Sequence, residues 1–456
     1  MKSYINVFMA AVTLTTGAAA PAWAQQKTEQ THSFTLKDCI AFGLEHHRSV
    51  VVSRNNITGA KEQAKEALSA YLPQVNVSAG FDYNVKLQQN VIPAGSFPGQ
   101  TEEQRITFGT KYNSTQMIQL DQKIYDQSLL TGLKANSSNT RLAELNAEEN
   151  NQNLIYNISY AYYQIIVAQK QLELLNSNKE RFEKTLQVTQ LQAEQGVAKK
   201  VDVKQVQVNL NNVLAQISIT ENNLKLAQNT LKNNIGLSQD ADIVITDTAQ
   251  WLRTTPPAKM YPQFDYTRTV NYLQQATQVK LYDINRQSIR DQRYPTLGLY
   301  ARYGANGFGS ESITGAYDPL LDYSAIGLKL SWNLFGGFRN SAQLKRATLD
   351  VYNLQENLKL NEERQKLQYQ NAGAAVARAQ RTIATNRSNM ELASEVYENA
   401  TLQYRQGVAS ISDLLNAELS YREAQNNYIN SLLDFYLADL DVQKANGTLR
   451  DYYEQL

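Results

Sequence analysis

The chain has 456 residues, with 44 lysines and arginines against 43 aspartates and glutamates, so its formal net charge is only +1. Because this balance includes no marked basic run, electrostatic binding of nucleic acid is not predicted. The single cysteine, Cys39, excludes a disulfide within one chain, and the three histidines also precede residue 50. The rest of the sequence contains no recognisable set of nucleophile, base and orienting residue, so no enzyme, cofactor or metal site is predicted.

Residues 1–24 predict a secretory signal peptide. Lys2 supplies the positive start, an apolar or small-residue run follows, and Ala22 to Ala24 offer a small-x-small cleavage site. Cys39 lies well beyond that site, which argues against a lipid anchor on a mature N-terminal cysteine. No other segment approaches the ~18 to 20 apolar residues of a membrane-spanning helix.

The mature chain opens with a predicted helix from Phe34 to Leu72, with Thr35 as its N-cap, and Pro73 ends it. The hydrophobic period then changes from 3.6 to 2, which predicts an amphipathic strand. Its apolar positions are Val75, Val77, Ala79, Phe81, Tyr83 and Val85. A loop rich in proline, glycine and glutamine separates it from a second predicted strand over about 111–125.

The second half of the chain predicts two more strands of the same kind. Leu297, Leu299, Ala301 and Tyr303 alternate with small or polar residues after Pro295, and a further alternation covers 324–334. Each half therefore carries one strand hairpin with an apolar and a polar face. The first hairpin is longer, and its extra residues fall in the connecting loop, where insertions are best tolerated.

A long proline-free helix is predicted after each strand hairpin, over about 128–195 and 339–406. Each would be roughly 100 Å long at the helical rise of 1.5 Å per residue. Apolar residues at spacings of three and four predict a coiled-coil seam, and return helices over about 199–234 and 410–446 supply its partners. The seam positions in the first half are Ile158, Tyr162, Ile165, Ala168, Leu172, Leu175, Phe182, Leu186 and Ala193.

The two halves are an internal duplication at a spacing of 211 residues. Shared residues around Gly196 recur in the same order around Gly407, and the register extends to Asn178 and Asn389. We therefore predict a first structural repeat over 25–247, a connector over 248–263 and a second repeat over 264–456. The connector falls in a stretch with three prolines, between Gly236 and Tyr266, that predicts irregular structure.

Four amphipathic strands cannot close a membrane sheet, because open edges in lipid leave unpaired backbone groups and the smallest membrane barrels need about 8 strands. The sheet must therefore be shared between chains. Two chains would give eight strands with a filled interior, and three would give twelve with room for water. The polar face, which includes Asn76, Ser78, Asp82 and Asn84, favours a wet interior.

The chain resembles the TolC-like outer-membrane efflux proteins over essentially its whole mature length. The resemblance rests on the opening Leu36–Asp38 helix, the Leu72–Pro73 strand entry, the Trp332–Gly337 strand exit and, most specifically, the block from Gly407 to Ala424. It implies a mainly α protein with membrane β structure: a trimeric twelve-stranded β-barrel, four strands per chain, continued by a long α-helical coiled-coil tunnel in the periplasm.

The resemblance also implies a location in the outer membrane of a Gram-negative bacterium, in contact with its lipid. The implied function is that of a passive exit duct in a tripartite efflux or type I secretion system. An inner-membrane pump of RND, ABC or MFS type would drive the substrate, and a periplasmic adaptor would connect pump and duct. The alternative is a structural or adhesive coiled-coil envelope protein, but a spacer has no reason to carry four strands with a lipid-suited face.

Carried over by position, the resemblance places the periplasmic tips at two glycine turns. The implied adaptor-docking residues are Gly196, Val197, Ala198, Gly407, Val408 and Ala409. The implied gate or constriction residues are Asp202, Tyr404, Asp413 and Asn416. Some family members have an arginine in place of Ala409 and an aspartate in place of Asn416, so fewer charged contacts are expected to hold this gate.

Each of these features also has a purely structural interpretation. A glycine after a helix is commonly its C-terminal stop, and Asp202 and Asp413 suit the first turn of a helix. His46 and His47 are adjacent, so on a helix they point about 100° apart and do not form a metal pair. The glycines Gly304, Gly307, Gly309 and Gly315 lack the lysine and hydroxyl partners of a phosphate-binding loop.

Overall fold

The computed structural model describes residues 32–96, 98–99, 101–246, 261 and 263–456, and the predicted signal peptide lies outside these ranges. The strands are β1 (His32–Phe34), β2 (Gln74–Tyr83), β3 (Gln88–Ile92), β4 (Gln104–Phe108), β5 (Tyr112–Tyr125), β6 (Ile243–Ile245), β7 (Thr296–Gly309) and β8 (Leu320–Ser331). The α-helices are α1 (Leu36–His46), α2 (Arg48–Ser69), α3 (Gln127–Leu133), α4 (Ala135–Glu194), α5 (Lys200–Ile235), α6 (Val270–Asp291), α7 (Arg339–Arg405), α8 (Ile411–Ala445) and α9 (Leu449–Gln455).

The four predicted amphipathic strands form one antiparallel sheet in the order β2-β5-β7-β8. Its register aligns Val75, Leu120, Ala301 and Ile326 in one row across all four strands. The prediction that the fourth strand continues to residue 334 was wrong. The strand ends at Ser331, and the Trp332 indole that follows donates to the Arg293 carbonyl at 3.0 Å.

The loop predicted inside the first strand hairpin contains a second, smaller hairpin. Strands β3 and β4 pair antiparallel, with Asn90 opposite Ile106. Both strands have only five residues. Strand β3 begins with three polar residues, so the period-2 pattern is too weak to predict it.

The single helix predicted from Phe34 to Leu72 was wrong in two places. Phe34 lies in β1, which pairs in parallel with β6, so the stretch predicted as irregular contains a strand. The chain also breaks at His47, which is extended and caps α2. Gly236 packs there: a Cβ on this residue would lie 3.1 Å from the His47 Cα, and its φ of +77° favours glycine. Thr35 caps α1 as predicted, in a capping box with Asp38.

Two antiparallel helical hairpins form the long part of the molecule: the first hairpin, α4 with α5, and the second hairpin, α7 with α8. The predicted seam is confirmed from Ile158 to Leu186, whereas Ala193 is only partly buried and belongs to neither cluster. Ile158, Tyr162, Ile165, Ala168, Leu175 and Phe182 are buried, with Leu172 and Leu186 packed against the same clusters. No helix within the described ranges combines the length and apolar composition that crossing a membrane requires.

The exact division into repeats stays a prediction. Residues 248–260 and 262 of the predicted connector lie outside the described residues. Tyr261, which is described, donates from its hydroxyl to a carboxylate oxygen of the buried Asp439 at 2.8 Å. The connector is thus fixed to α8 at this point.

Candidate functional site at the hairpin tips

The two hairpins end in nearly identical glycine turns. Gly196 and Gly407 have φ values of +77° and +74°, a left-handed conformation that favours glycine. In the first turn the Val197 amide donates to the Gln192 carbonyl at 2.8 Å, and in the second the Val408 amide donates to the Gln403 carbonyl at 2.9 Å. The duplicated sequence therefore builds a duplicated tip, and the helix-stop interpretation of both glycines is correct.

Each tip presents an isolated apolar side chain to solvent. Val197 is 75% exposed and Val408 is 76% exposed, while Ala198 and Ala409 are partly covered. A Cβ placed on Gly196 or Gly407 would meet no atom within 4 Å, so these positions are open as well. The six residues predicted for adaptor docking thus lie together at the turns.

Asp202 and Asp413 occupy equivalent positions in the first turns of α5 and α8. The Asp202 carboxylate accepts from the Lys199 amide at 3.0 Å. The Asp413 carboxylate accepts from both the amide and the hydroxyl of Ser410, at 3.0 and 2.7 Å. Among the described residues, each aspartate accepts hydrogen bonds only from the N-cap residue of its own helix, three positions earlier. Asn416 is exposed one turn further along α8.

Tyr404 is the predicted gate residue that joins the two hairpins. It is buried at the end of α7, and its hydroxyl donates to the Gln192 side-chain oxygen at 3.0 Å. The Thr189 hydroxyl lies 3.0 Å from the Tyr404 hydroxyl oxygen. Since Thr189 and Gln192 belong to α4, Tyr404 ties the second hairpin to the first just above their tips.

A second tie was not predicted from the sequence. Arg181 on α4 donates from Nε and Nη2 to Oε1 of Glu418 on α8, at 3.3 and 3.1 Å, and from Nη2 to the Asn178 side chain. The Glu418 side chain is only 5% exposed and that of Arg181 is 26% exposed. We call Arg181 and Glu418, with the two tyrosines beside them, the inter-hairpin clamp.

Tyr397 on α7 and Tyr421 on α8 complete the inter-hairpin clamp. Their rings stack with centroids 5.8 Å apart, and the Arg181 guanidinium carbon lies 5.4 and 5.6 Å from the two centroids. Cation–π attraction therefore adds to the ion pair. Burial, and then the neighbouring Glu418 charge, raise the pKa of Tyr397, which keeps its hydroxyl neutral. Three helices are joined at one guanidinium.

The inter-hairpin clamp can be traced in the sequence only as a break in the duplication. At a spacing of 211, Arg181 corresponds to Leu392 and Glu418 to Gln207. The tyrosines Tyr397 and Tyr421 correspond to Leu186 and Leu210 in the same way. Each residue of the inter-hairpin clamp therefore has a different type of residue at the equivalent position of the other repeat, because the two halves have different surroundings.

The sequence model of one protein family, described as outer membrane efflux protein, matches residues 43–237 and 271–448. The chain belongs to the outer membrane efflux protein family. The match covers both halves and both hairpin tips of this family member. The resemblance inferred from the tip block and the strand entries is thereby confirmed.

Individual relatives agree with the family assignment. The chain is 22% identical to outer membrane protein TolC of Vibrio cholerae over 99% of this chain and 97% of that protein. It is 25% identical to alkaline protease secretion protein AprF of Pseudomonas aeruginosa over 73% of this chain and 69% of that protein. The Campylobacter jejuni CmeC outer membrane channel shares the fold, with a TM-score of 0.70 at 15% identity over 97% of both chains.

As a family member, the protein is located in the outer membrane of a Gram-negative cell, and its helical part extends into the periplasm. It is an exit duct for efflux or secretion. The alternative of a structural or adhesive spacer is not favoured. The family is one of channel proteins rather than enzymes.

Proposed function

We propose that three copies of this chain close a twelve-stranded barrel in the outer membrane and continue it as a helical tunnel through the periplasm. In this proposal the assembly is a passive duct in a tripartite efflux or type I secretion system. A periplasmic adaptor docks on the hairpin tips, and an inner-membrane pump of RND, ABC or MFS type supplies the energy.

One observation carries the proposal: the sheet of one chain is unfinished. Within the described residues β2 pairs only with β5, and β8 pairs only with β7, so both outer edges are open. The apolar face is exposed as well, with Val77 and Ile326 at 75% and 76%. In lipid each unpaired backbone group costs several kcal/mol, so further copies are needed to pair these edges.

The long helices also have apolar surface that further copies of the chain would cover. Large apolar side chains on α7 remain exposed in one chain, among them Leu349, Leu360, Leu367 and Leu392. In a closed tunnel such side chains would pack against the helices of a neighbouring copy. Three copies leave a water-filled interior, whereas two would fill it with side chains.

The duct can be tested with purified protein in planar lipid bilayers. A duct should give long-lived, uniform conductance steps in KCl. A preparation that is shown to be trimeric but never conducts would contradict the proposal.

For the gate we propose that Asp202 and Asp413 line the constriction and make it prefer cations. Asp413→Asn should therefore reduce the preference for potassium over chloride, measured as the reversal potential across a salt gradient. Asparagine can still accept the Ser410 hydrogen bonds, so the helix start should be retained. An unchanged reversal potential would show that Asp413 does not line the constriction.

The pH dependence of this preference follows from the pKa of Asp413. Hydrogen bonds from the Ser410 hydroxyl, and then from its amide, hold that pKa below its usual value of 3.8. The carboxylate should therefore stay charged as the pH falls to about 4 and lose its charge only below that. In Ser410→Ala the cation preference should be lost at a higher pH than in wild type. If it is lost at the same pH, the Ser410 hydroxyl does not lower the pKa of Asp413.

A further inference from the structure

The inner face of the sheet, opposite its apolar face, carries a cluster of cations near the helical end. Because residues directly opposite each other share a face, the register defines the rows of this surface. The three rows are Gln119–Arg302–Ala325, Asp121–Tyr300–Gly327 and Lys123–Gly298–Lys329. Lys123 and Lys329 flank one strand, about 10 Å apart at the backbone, and Arg302 lies ~13 Å along the strands from their row.

The surface between these rows is concave. A cavity of about 420 Å³ is lined by Gln74, Gln119, Asp121, Lys123, Tyr300 and Lys329, among others. Glycines leave the space for it: Gly298 separates the two lysines, and a Cβ on Gly327 would lie 2.8 Å from the Tyr300 hydroxyl. The Tyr300 ring therefore extends over β8, two residues from Lys329.

Donors exceed acceptors in this cavity. Asp121 already accepts from the Gln119 amide at 2.8 Å, and the Lys123 ammonium lies 3.5 Å from the Asp126 carboxylate. Within the described residues, no hydrogen bond or ion pair satisfies the side chains of Arg302, Lys329 or Tyr300, which stand on two adjacent strands. Tyr300 and Lys329, which line the cavity, can donate together to an anion, and Arg302 lies beside the cavity, opposite Gln119.

The net charge of the three rows, counted together with Asp126 beside Lys123, also favours binding of an anion. Arg302, Lys329 and Lys123 outnumber Asp121 and Asp126, which leaves a net charge of +1 in each chain and +3 in three copies. On an open surface such cations would simply be hydrated. Inside a narrow duct with low-dielectric walls their field is focused and attracts counter-ions.

We propose that this cavity is a subsite for anionic solutes, with Lys329 and Tyr300 in its lining as donors to a carboxylate or phosphate group and Arg302 as a further cation beside it, opposite Gln119. The inference rests on the proposed duct, because the cavity faces a lumen only when several copies close the sheet. It assigns to the barrel an anion preference opposite to that proposed for the aspartates at the tips.

The test is block of the purified channel by citrate in planar bilayers. Citrate added on the barrel side should lower the potassium chloride conductance in a voltage-dependent manner, and more strongly than from the tip side. In the double variant Arg302→Gln with Lys329→Gln, the half-blocking concentration should rise about tenfold or more, as expected when charge-assisted hydrogen bonds are lost.

Lys86→Gln is the matched control, since it removes one exposed positive charge just beyond the far end of β2. It should leave citrate block near the wild-type level. Equal block of wild type and double variant, with normal conductance in both, would overturn the subsite and leave the duct intact. Absence of any conductance in wild type would instead overturn the duct itself. Pyrophosphate in place of citrate tests whether phosphate groups bind at the same donors.

Discussion

Val408→Asp combined with Val197→Asp is expected to reduce export to the level of cells that lack this protein. Both valines directly follow a turn glycine with a positive φ, and both are three-quarters exposed. If an adaptor buries them, each contributes about 1.5 kcal/mol or more, and an aspartate there must be desolvated instead. Accumulation of a fluorescent efflux substrate in whole cells measures the effect.

The same double variant should leave the duct itself intact. Its trimer content in outer-membrane extracts and its conductance in bilayers should equal those of wild type, because neither valine belongs to a hydrophobic cluster of the described residues. Val408→Ile keeps the apolar surface and serves as the control, with export close to normal. Full export by the double aspartate variant would exclude the tips as the docking surface.

Arg181→Ala is expected to open the tip end of the channel. The substitution leaves the buried Glu418 carboxylate without its cation, and removing one partner of a buried pair costs about 3–5 kcal/mol. Separation of the hairpins would let water reach Glu418 and relieve that cost. A bias of about 3 kcal/mol toward the open state shifts the closed–open equilibrium by roughly two orders of magnitude.

Single-channel conductance should therefore rise, and spin labels at Val197→Cys and Val408→Cys should move apart in a Cys39→Ala background. Lys359→Gln is the control, because it removes an exposed pair with Glu356 that contributes at most about 1 kcal/mol. A fall in thermal stability with unchanged conductance and unchanged label distance would show that the inter-hairpin clamp is structural and does not hold a gate.

The elements that could be predicted from the sequence are those with long, regular periods. The strand from Val75 to Tyr83 alternates without interruption, and the seam from Ile158 to Phe182 keeps its spacing over several turns. In both patterns the apolar residues mark the buried face of the element, and their spacing distinguishes a strand from a helix. The same patterns repeated in the second half allowed both hairpins and both tip turns to be placed.

The features that were missed depend on contacts between distant segments. At the helix break at His47, the chain packs against Gly236, which is almost two hundred residues away in the sequence. Strand β1 forms only by pairing with β6. At the tips, Tyr404 and Asp413 could be taken from the family resemblance. Arg181 and Glu418 could not, because their partners lie on other helices and neither residue has a charged equivalent in the other repeat.

The number of chains in the membrane-extracted protein decides whether sister copies complete the sheet. Native mass spectrometry of the mature protein in detergent should give the mass of three chains, and electron microscopy should show a threefold particle with a helical body on the order of 100 Å long. A soluble, monodisperse monomer of the mature chain would contradict the account, because its open sheet edges and exposed apolar face would then need no sister copies.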